Sequence, residues 1–219
     1  MDNVVAAMAE EGRALLSALD SVDDFSGPTN CPPWTLGELV VHIGSSIRIP
    51  DLPTVADAST EAADYYRRPE RATEKYRQDN VAHGQHDAGR ILATMSPTAY
   101  FENAFGDALD ALQKVDLRRS VEIARVGPMP FEQWLITRLI SIAAHGLDVA
   151  ISLDRPPWTT AAALRVMRPV FVSLLDGEPP IQLGWSDQHF FEVSTGRRQL
   201  TDDERQTLGS SSPAFPLLS

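Results

Sequence analysis

The sequence predicts a mainly α-helical bundle with a small C-terminal part of mixed helix and strand. A long apolar segment at 131–153 exceeds the length of a strand, and apolar residues recur at helical spacing within 3–20 and 36–47. Hydrophobic residues make up 43% of the 219 residues and charged residues 22%, the balance of an ordinary folded protein. We expect residues 1–155 to form the bundle and residues 156–219 to add a helix and a small tail packed on it.

Three helices are predicted before the long apolar segment. The first covers 3–20, where apolar residues follow mostly helical intervals. The second covers 36–47 and begins at a capping box, in which the hydroxyl of Thr35 accepts from a first-turn amide and Glu38 reaches back to the cap amide. The third covers 97–113, because a serine followed by proline at the first helical position is a typical start signal.

The connecting segments and the C-terminal part are less regular. Residues 50–90 hold few apolar side chains, which indicates surface helices or mobile loops that could cover an entrance. Residues 121–126 are expected to be extended, and the Gly-Pro-Met-Pro break at 127–130 precedes the apolar core helix. We predict a helix at 160–175, bent or restarted at its internal proline, then a tail with one or two short strands and a last helix beginning at the capping box 201–204.

Charge and cysteine usage narrow the expected partners. The formal net charge of −11 would repel nucleic-acid phosphates and anionic lipid, so neither nucleic acid nor a membrane is an expected partner. Charged residues within the core helix would also be costly in lipid. The single cysteine, Cys31, fits a reducing compartment, and we expect a cytoplasmic monomer or homodimer acting on a small molecule. Cys31 has no local histidine, so a structural role is expected for it.

Five polar residues form one stripe on the predicted core helix. At about 100° per residue they fall within roughly 80° of one another. They are Arg138, Ser141, His145, Asp148 and Ser152. Buried polar groups cost a few kcal/mol each when unpaired, so the stripe implies water, a ligand, a metal or a hydrogen-bonded network. On the second helix, His42, with Glu38 one turn earlier, lies on the shoulder of the apolar face and can face the same interior.

Two histidines on separate helices of a bundle suit a divalent metal. A catalytic zinc typically has three protein ligands and an open water position. His42 and His145 would be two ligands, with Asp148 as the third and Glu38 as the alternative third. The competing interpretation is a structural network, in which His145 donates to Asp148 or to a backbone carbonyl and Arg138 pairs with Asp148.

Three segments, in the same order along the chain, carry a family resemblance. They are Cys31-Pro-Pro-Trp-Thr-Leu-Gly-Glu-Leu-Val-Val-His42-Ile-Gly, Arg138-Leu-Ile-Ser-Ile-Ala-Ala-His145-Gly-Leu-Asp148-Val-Ala, and Thr195-Gly-Arg197-Arg198 with the closing Phe215-Pro-Leu-Leu. They resemble the mycothiol-dependent maleylpyruvate isomerase family, within the DinB-like superfamily of metal-binding bundles. The resemblance implies a DinB-like four-helix bundle that holds a divalent metal, usually zinc, through His42 and His145, with a thiol such as mycothiol as co-substrate.

The resemblance also implies isomerisation or sulfur transfer, in which the metal acidifies the thiol and the thiolate adds to an electrophilic substrate. The family has a glutamate four residues before the second histidine, where this chain has Ser141, a poor zinc ligand. Either Asp148 or Glu38 then substitutes, the metal binds weakly, or the pocket works without metal. Arg138, Ser141 and Asp148 are the candidate catalytic residues, and Arg138 could pair with a substrate carboxylate or with Asp148.

Two other functions remain open from the sequence. One is a metal-independent enzyme of the same fold, a cyclase or isomerase in secondary metabolism that acts by hydrogen bonding. The other is a binding protein that recognises a small molecule without catalysis.

Overall fold

The computed structural model describes residues 2–56 and 58–218. The helices of this part are α1 (Asp2–Leu19), α2 (Leu36–Ile47), α3 (Ala62–Tyr66), α4 (Glu74–Leu92), α5 (Pro97–Leu112), α6 (Phe131–Ser152), α7 (Ala161–Leu174), α8 (Asp187–Ser194) and α9 (Asp202–Leu208). The strands are β1 (Thr54–Val55), β2 (Ser120–Ile123) and β3 (Gly127–Pro130), which form one antiparallel sheet in that order. The predicted mainly helical fold class is confirmed.

Side-chain caps begin the helices where the sequence predicted them. At α2, Thr35 Oγ1 accepts from the amide of Glu38 at 3.3 Å, and Glu38 Oε2 accepts from the amide of Thr35 at 2.7 Å. Ser96 Oγ caps α5, and a second reciprocal box between Thr201 and Glu204 caps α9. These caps satisfy helix amides that have no partner within the helix.

The bundle is built around α6, which packs against α1, α2 and α7. Although α6 is long and apolar enough to span a membrane, 67% of its apolar window is buried inside the protein, as in a core helix. Helix α2 presents Leu39 and Ile43, both fully buried, to the same interior. Burial of these apolar faces supplies the main driving force for packing the helices together.

The short strands lie before α6 instead of in the tail. In the described residues of 156–218, capped helices α8 and α9 and two 3₁₀ turns occupy the tail. The predicted extended segment at 121–126 becomes β2 and a turn through Arg125, whose φ is 66°, and β3 pairs back onto β2. Helix α7 continues through Pro169 without restarting.

The tail brings one arginine back to the bundle. Phe190 and Phe191 of α8 pack on Phe171 of α7, with ring centroids 6.3 and 5.6 Å away. Helix α8 ends before Gly196, whose φ of 76° belongs to the left-handed region that glycine adopts readily. The chain therefore turns back, and Arg197 reaches α6.

Candidate active site

A cavity of about 590 Å³ lies between α2, α4, α6 and the segment around α3. Its wall is rich in guanidinium groups, which come from Arg48, Arg71, Arg90, Arg138 and Arg197. The described lining residues include one carboxylate, that of Asp87. A chain with a net charge of −11 thus surrounds this cavity with positive charge.

Two imidazoles lie side by side in the cavity wall. The rings of His42 on α2 and His145 on α6 have centroids 5.1 Å apart and meet edge to face. Trp34, just before α2, contacts the ring of His42 at 4.4 Å between centroids. The structure therefore brings together the two histidines that the sequence placed on facing helices.

Asp148 is the hydrogen-bonding centre behind His145. Its side chain is 1% exposed, and one oxygen accepts from His145 Nδ1 at 3.0 Å, Arg197 Nη2 at 2.5 Å and the thiol of Cys31 at 2.9 Å. The other oxygen accepts from Asn30 Nδ2 at 2.9 Å and Arg197 Nε at 3.0 Å. Because a carboxylate only accepts, the proton of a neutral His145 ring resides on Nδ1, and Nε2 is the ring nitrogen that can accept a proton.

Burial and charge shift the pKa values of this group. Burial alone would raise the pKa of Asp148, but the hydrogen bond from His145 and the charge of Arg197 outweigh it and hold that pKa below its ordinary value. Burial, together with the electrostatic influence of His145 and Arg138, lowers the pKa of His42 to about 3. Burial and the negative charge of Asp148 raise the pKa of the Cys31 thiol to about 12. At neutral pH Asp148 is therefore ionised, His42 is neutral and Cys31 remains a thiol.

Cys31 lies close to His145 in the folded chain. Its sulfur lies 4.0 Å from His145 Nδ1, although the two residues are 114 positions apart in the chain. Ligand atoms of Cys31, His145 and Asp148 all lie within 4.8 Å of one another, so this group could hold a metal ion. The sequence could not show this contact, because it is tertiary and leaves no local pattern, and the structural role expected for Cys31 stays a prediction.

Arg197 is a site residue that spacing arguments missed. Arg197 donates two hydrogen bonds to Asp148 and is therefore the arginine that pairs with this carboxylate. One interpretation of the sequence gave that pairing to Arg138. Arg138 cannot fill this role, because it lies about 15 Å earlier along the α6 axis. The available signal was the Thr195-Gly-Arg197-Arg198 motif, which carried the family resemblance.

About two turns before His145 on α6, Arg138 is part of a polar cluster with tyrosines. Its Nη2 donates to Tyr65 Oη at 3.1 Å, and its Nε donates to the hydroxyl of Thr137 at 3.1 Å. The guanidinium of Arg71 stacks on the Tyr65 ring at 5.1 Å. Burial would raise the pKa of Tyr65, but the charges of Arg138 and Arg71 outweigh it and lower that pKa.

The two remaining predicted site residues have other partners. Ser141 lines the cavity, where its hydroxyl donates to Ser46 Oγ at 3.2 Å. Glu38 is held at the start of α2, where its Oε2 accepts from both the amide and the hydroxyl of Thr35 at 2.7 and 3.0 Å. Its carboxylate is used as a helix cap.

Comparison with known proteins identifies the family. No curated protein and no solved structure matches the chain. The family model described as mycothiol maleylpyruvate isomerase N-terminal domain matches residues 5–150, which run from α1 almost to the end of α6. The match includes both imidazoles and Asp148. The chain therefore belongs to the mycothiol maleylpyruvate isomerase N-terminal domain family.

Proposed function

We propose that this protein is a thiol-dependent enzyme of the isomerase or S-transferase type, which adds a thiolate to an anionic, electrophilic small molecule inside the cavity. Family membership supports a thiol co-substrate, and the family description names mycothiol. The observation that carries the substrate class is the charge of the cavity, whose lining holds one aspartate and five arginines, of which Arg197 is paired with Asp148. Such a wall favours a carboxylate-bearing substrate over a neutral or cationic one.

The cluster around Arg138 is suited to hold the substrate anion. In the described part of the chain, the hydrogen bonds of Arg138 and Arg71 go to hydroxyls and a backbone carbonyl and not to carboxylates, and the Nε of Arg71 is buried without a hydrogen-bond partner. A planar guanidinium binds a carboxylate with two parallel hydrogen bonds. The phenol of Tyr65, already bonded to Arg138, can donate to a neighbouring substrate oxygen. This cluster therefore supplies both positive charge and directed hydrogen-bond donors.

The same cluster can stabilise the charge that develops during addition. When a thiolate forms a C–S bond to a carbon–carbon double bond conjugated with a carbonyl, the displaced electron pair moves to the carbonyl oxygen. Donors from Arg138 and Tyr65 would stabilise that oxyanion. Rotation about the former double bond and expulsion of the thiolate give isomerisation. Protonation of the carbon instead gives a stable thioether, which is the transferase outcome.

The anion site can be tested with maleate, a small dicarboxylate. Isothermal titration is expected to show maleate binding to the wild-type protein and binding weakened about 10-fold or more by Arg138→Met, because a charge-assisted hydrogen bond contributes about 1.5–3 kcal/mol. Arg205→Met removes an equal charge from the exposed face of α9 and should leave binding unchanged. Equal affinities for all three proteins would contradict the assignment.

The thiol requirement is tested separately by turnover. A panel of cis-configured unsaturated keto acids is followed with mycothiol, with glutathione and without thiol. Conversion that depends on an added thiol supports the proposal. Conversion at the same rate without thiol would refute it and favour the alternative enzyme that acts by hydrogen bonding alone.

A further inference from the structure

Among the residues that the structure describes, the two imidazoles lack a third protein ligand of the kind that a catalytic metal requires. A catalytic zinc site normally combines three nitrogen, sulfur or carboxylate ligands with one open position. On the turn of α6 before His145, the available group is the hydroxyl of Ser141, which already donates to Ser46. A neutral hydroxyl is a weak ligand for zinc. The donor set at His42 and His145 is therefore incomplete within the described part of the chain.

Nearby carboxylates do not complete the set. Glu38 caps α2, and Asp87 lies 3.4 Å from His83 on α4. Cys31, His145 and Asp148 form the one group of three potential ligands found in the described residues. The guanidinium of Arg197 donates to both oxygens of the Asp148 carboxylate, so the negative charge of that carboxylate is already compensated.

The charge of the cavity also opposes a divalent cation. Five guanidinium groups line it, and that of Arg138 lies on α6 about two turns before His145. A dication placed between the imidazoles would meet this positive potential, and within the described lining no carboxylate beside the imidazoles offsets it. The residues present thus do not fit the metal that the family resemblance implies.

We propose that this site works without a resident metal ion and that His145, oriented by Asp148, takes the proton of the thiol co-substrate. The S–H bond breaks, the proton moves to His145 Nε2, and the sulfur electron pair forms the C–S bond to the substrate. In isomerisation the C–S bond breaks again, and sulfur recovers the proton from His145. The Asp148 carboxylate, whose oxygen lies 3.0 Å from His145 Nδ1, stabilises the imidazolium between these steps. This inference rests on the proposed thiol-dependent function.

Zinc titration tests the metal-free site independently of activity. Wild-type protein, stripped with a chelator, is titrated with zinc alone by calorimetry. The Ser141→Glu variant restores a carboxylate one turn before His145 and is expected to bind zinc about 100-fold more tightly than the wild type, because even outer-shell changes cost 10–100-fold in metal affinity. Asn80→Asp adds the same charge to the α4 wall of the cavity and should leave zinc affinity near the wild-type value.

The result that overturns the proposal is tight zinc binding by the wild type, with one equivalent bound and lost in His42→Gln and in His145→Gln. Weak or absent zinc binding by the wild type supports the metal-free site. This conclusion does not depend on whether Ser141→Glu folds. Thiol-dependent turnover that survives removal of metal supports the proton-transfer step, and turnover restored only by added zinc refutes it. A failure of thiol dependence itself would refute the proposed function while the zinc titration remained interpretable.

Discussion

Replacing Asp148 with asparagine tests whether the carboxylate holds the site together. Asp148→Asn keeps the shape of the side chain but removes the charge that faces Arg197, whose side chain is only 17% exposed. Breaking a buried ion pair by removing one partner costs about 3–5 kcal/mol, because the other charge stays buried without compensation. An asparagine amide also cannot accept all five of the hydrogen bonds that the carboxylate accepts. We therefore expect a loss of about 3–5 kcal/mol in the free energy of unfolding.

Urea unfolding at neutral pH, followed by circular dichroism, measures this loss, and the denaturant slope should stay unchanged. Arg197→Met is expected to cost about 2–5 kcal/mol by the same mechanism. The double variant should cost less than the sum of the two single variants by about 2 kcal/mol, since the partners interact directly. Single variants that each cost less than about 1 kcal/mol and add without coupling would refute the buried pair.

Three further predictions concern pH, packing and capping. Because His42 stays neutral in the folded state down to a pKa of about 3 while the unfolded chain binds a proton below about 6.5, the free energy of unfolding should fall by about 2 kcal/mol between pH 7 and 5. His42→Gln should remove most of this fall, and an identical pH dependence in that variant would contradict the burial of the ring. Gly12→Ala should destabilise by about 1–3 kcal/mol, since an added Cβ would overlap the ring of buried Phe105. In the control, Gly106→Ala, the added Cβ lies in open space, and the variant should stabilise α5 by about 0.5–1 kcal/mol. Equal shifts in melting temperature for the two variants would refute the packing argument. Thr35→Ala should lower the melting temperature by removing about 1 kcal/mol of cap stability, and an unchanged melting temperature would count against the cap.

Local signals predicted the helices well. The caps at Thr35, Ser96 and Thr201 depend on residues three positions apart, so the sequence alone determines them. The apolar length of α6 likewise predicted a buried core helix. Tail strands were not found in the described residues, because the cap at Ser186 and the box at Thr201 favour helices there.

The candidate site was only partly predictable. Helical spacing placed His145 and Asp148 on one stripe, one turn apart, and their hydrogen bond follows from that spacing. The contacts of Asp148 with Cys31 and Arg197 join residues more than 45 positions apart, so no local pattern specifies them. From the sequence, Glu38 could be either a helix cap or the alternative third metal ligand. The structure shows its carboxylate bonded as the cap of α2.

The most direct test of the proposed chemistry follows the ionisation of the bound thiol. Metal-stripped wild-type protein and His145→Gln are mixed with mycothiol at neutral pH, and the ultraviolet absorbance of the thiolate is recorded on binding. We predict that the wild type produces bound thiolate without metal and that His145→Gln binds mycothiol without ionising it. Thiolate that forms equally in both proteins, or only after zinc is added, would contradict activation by the imidazole.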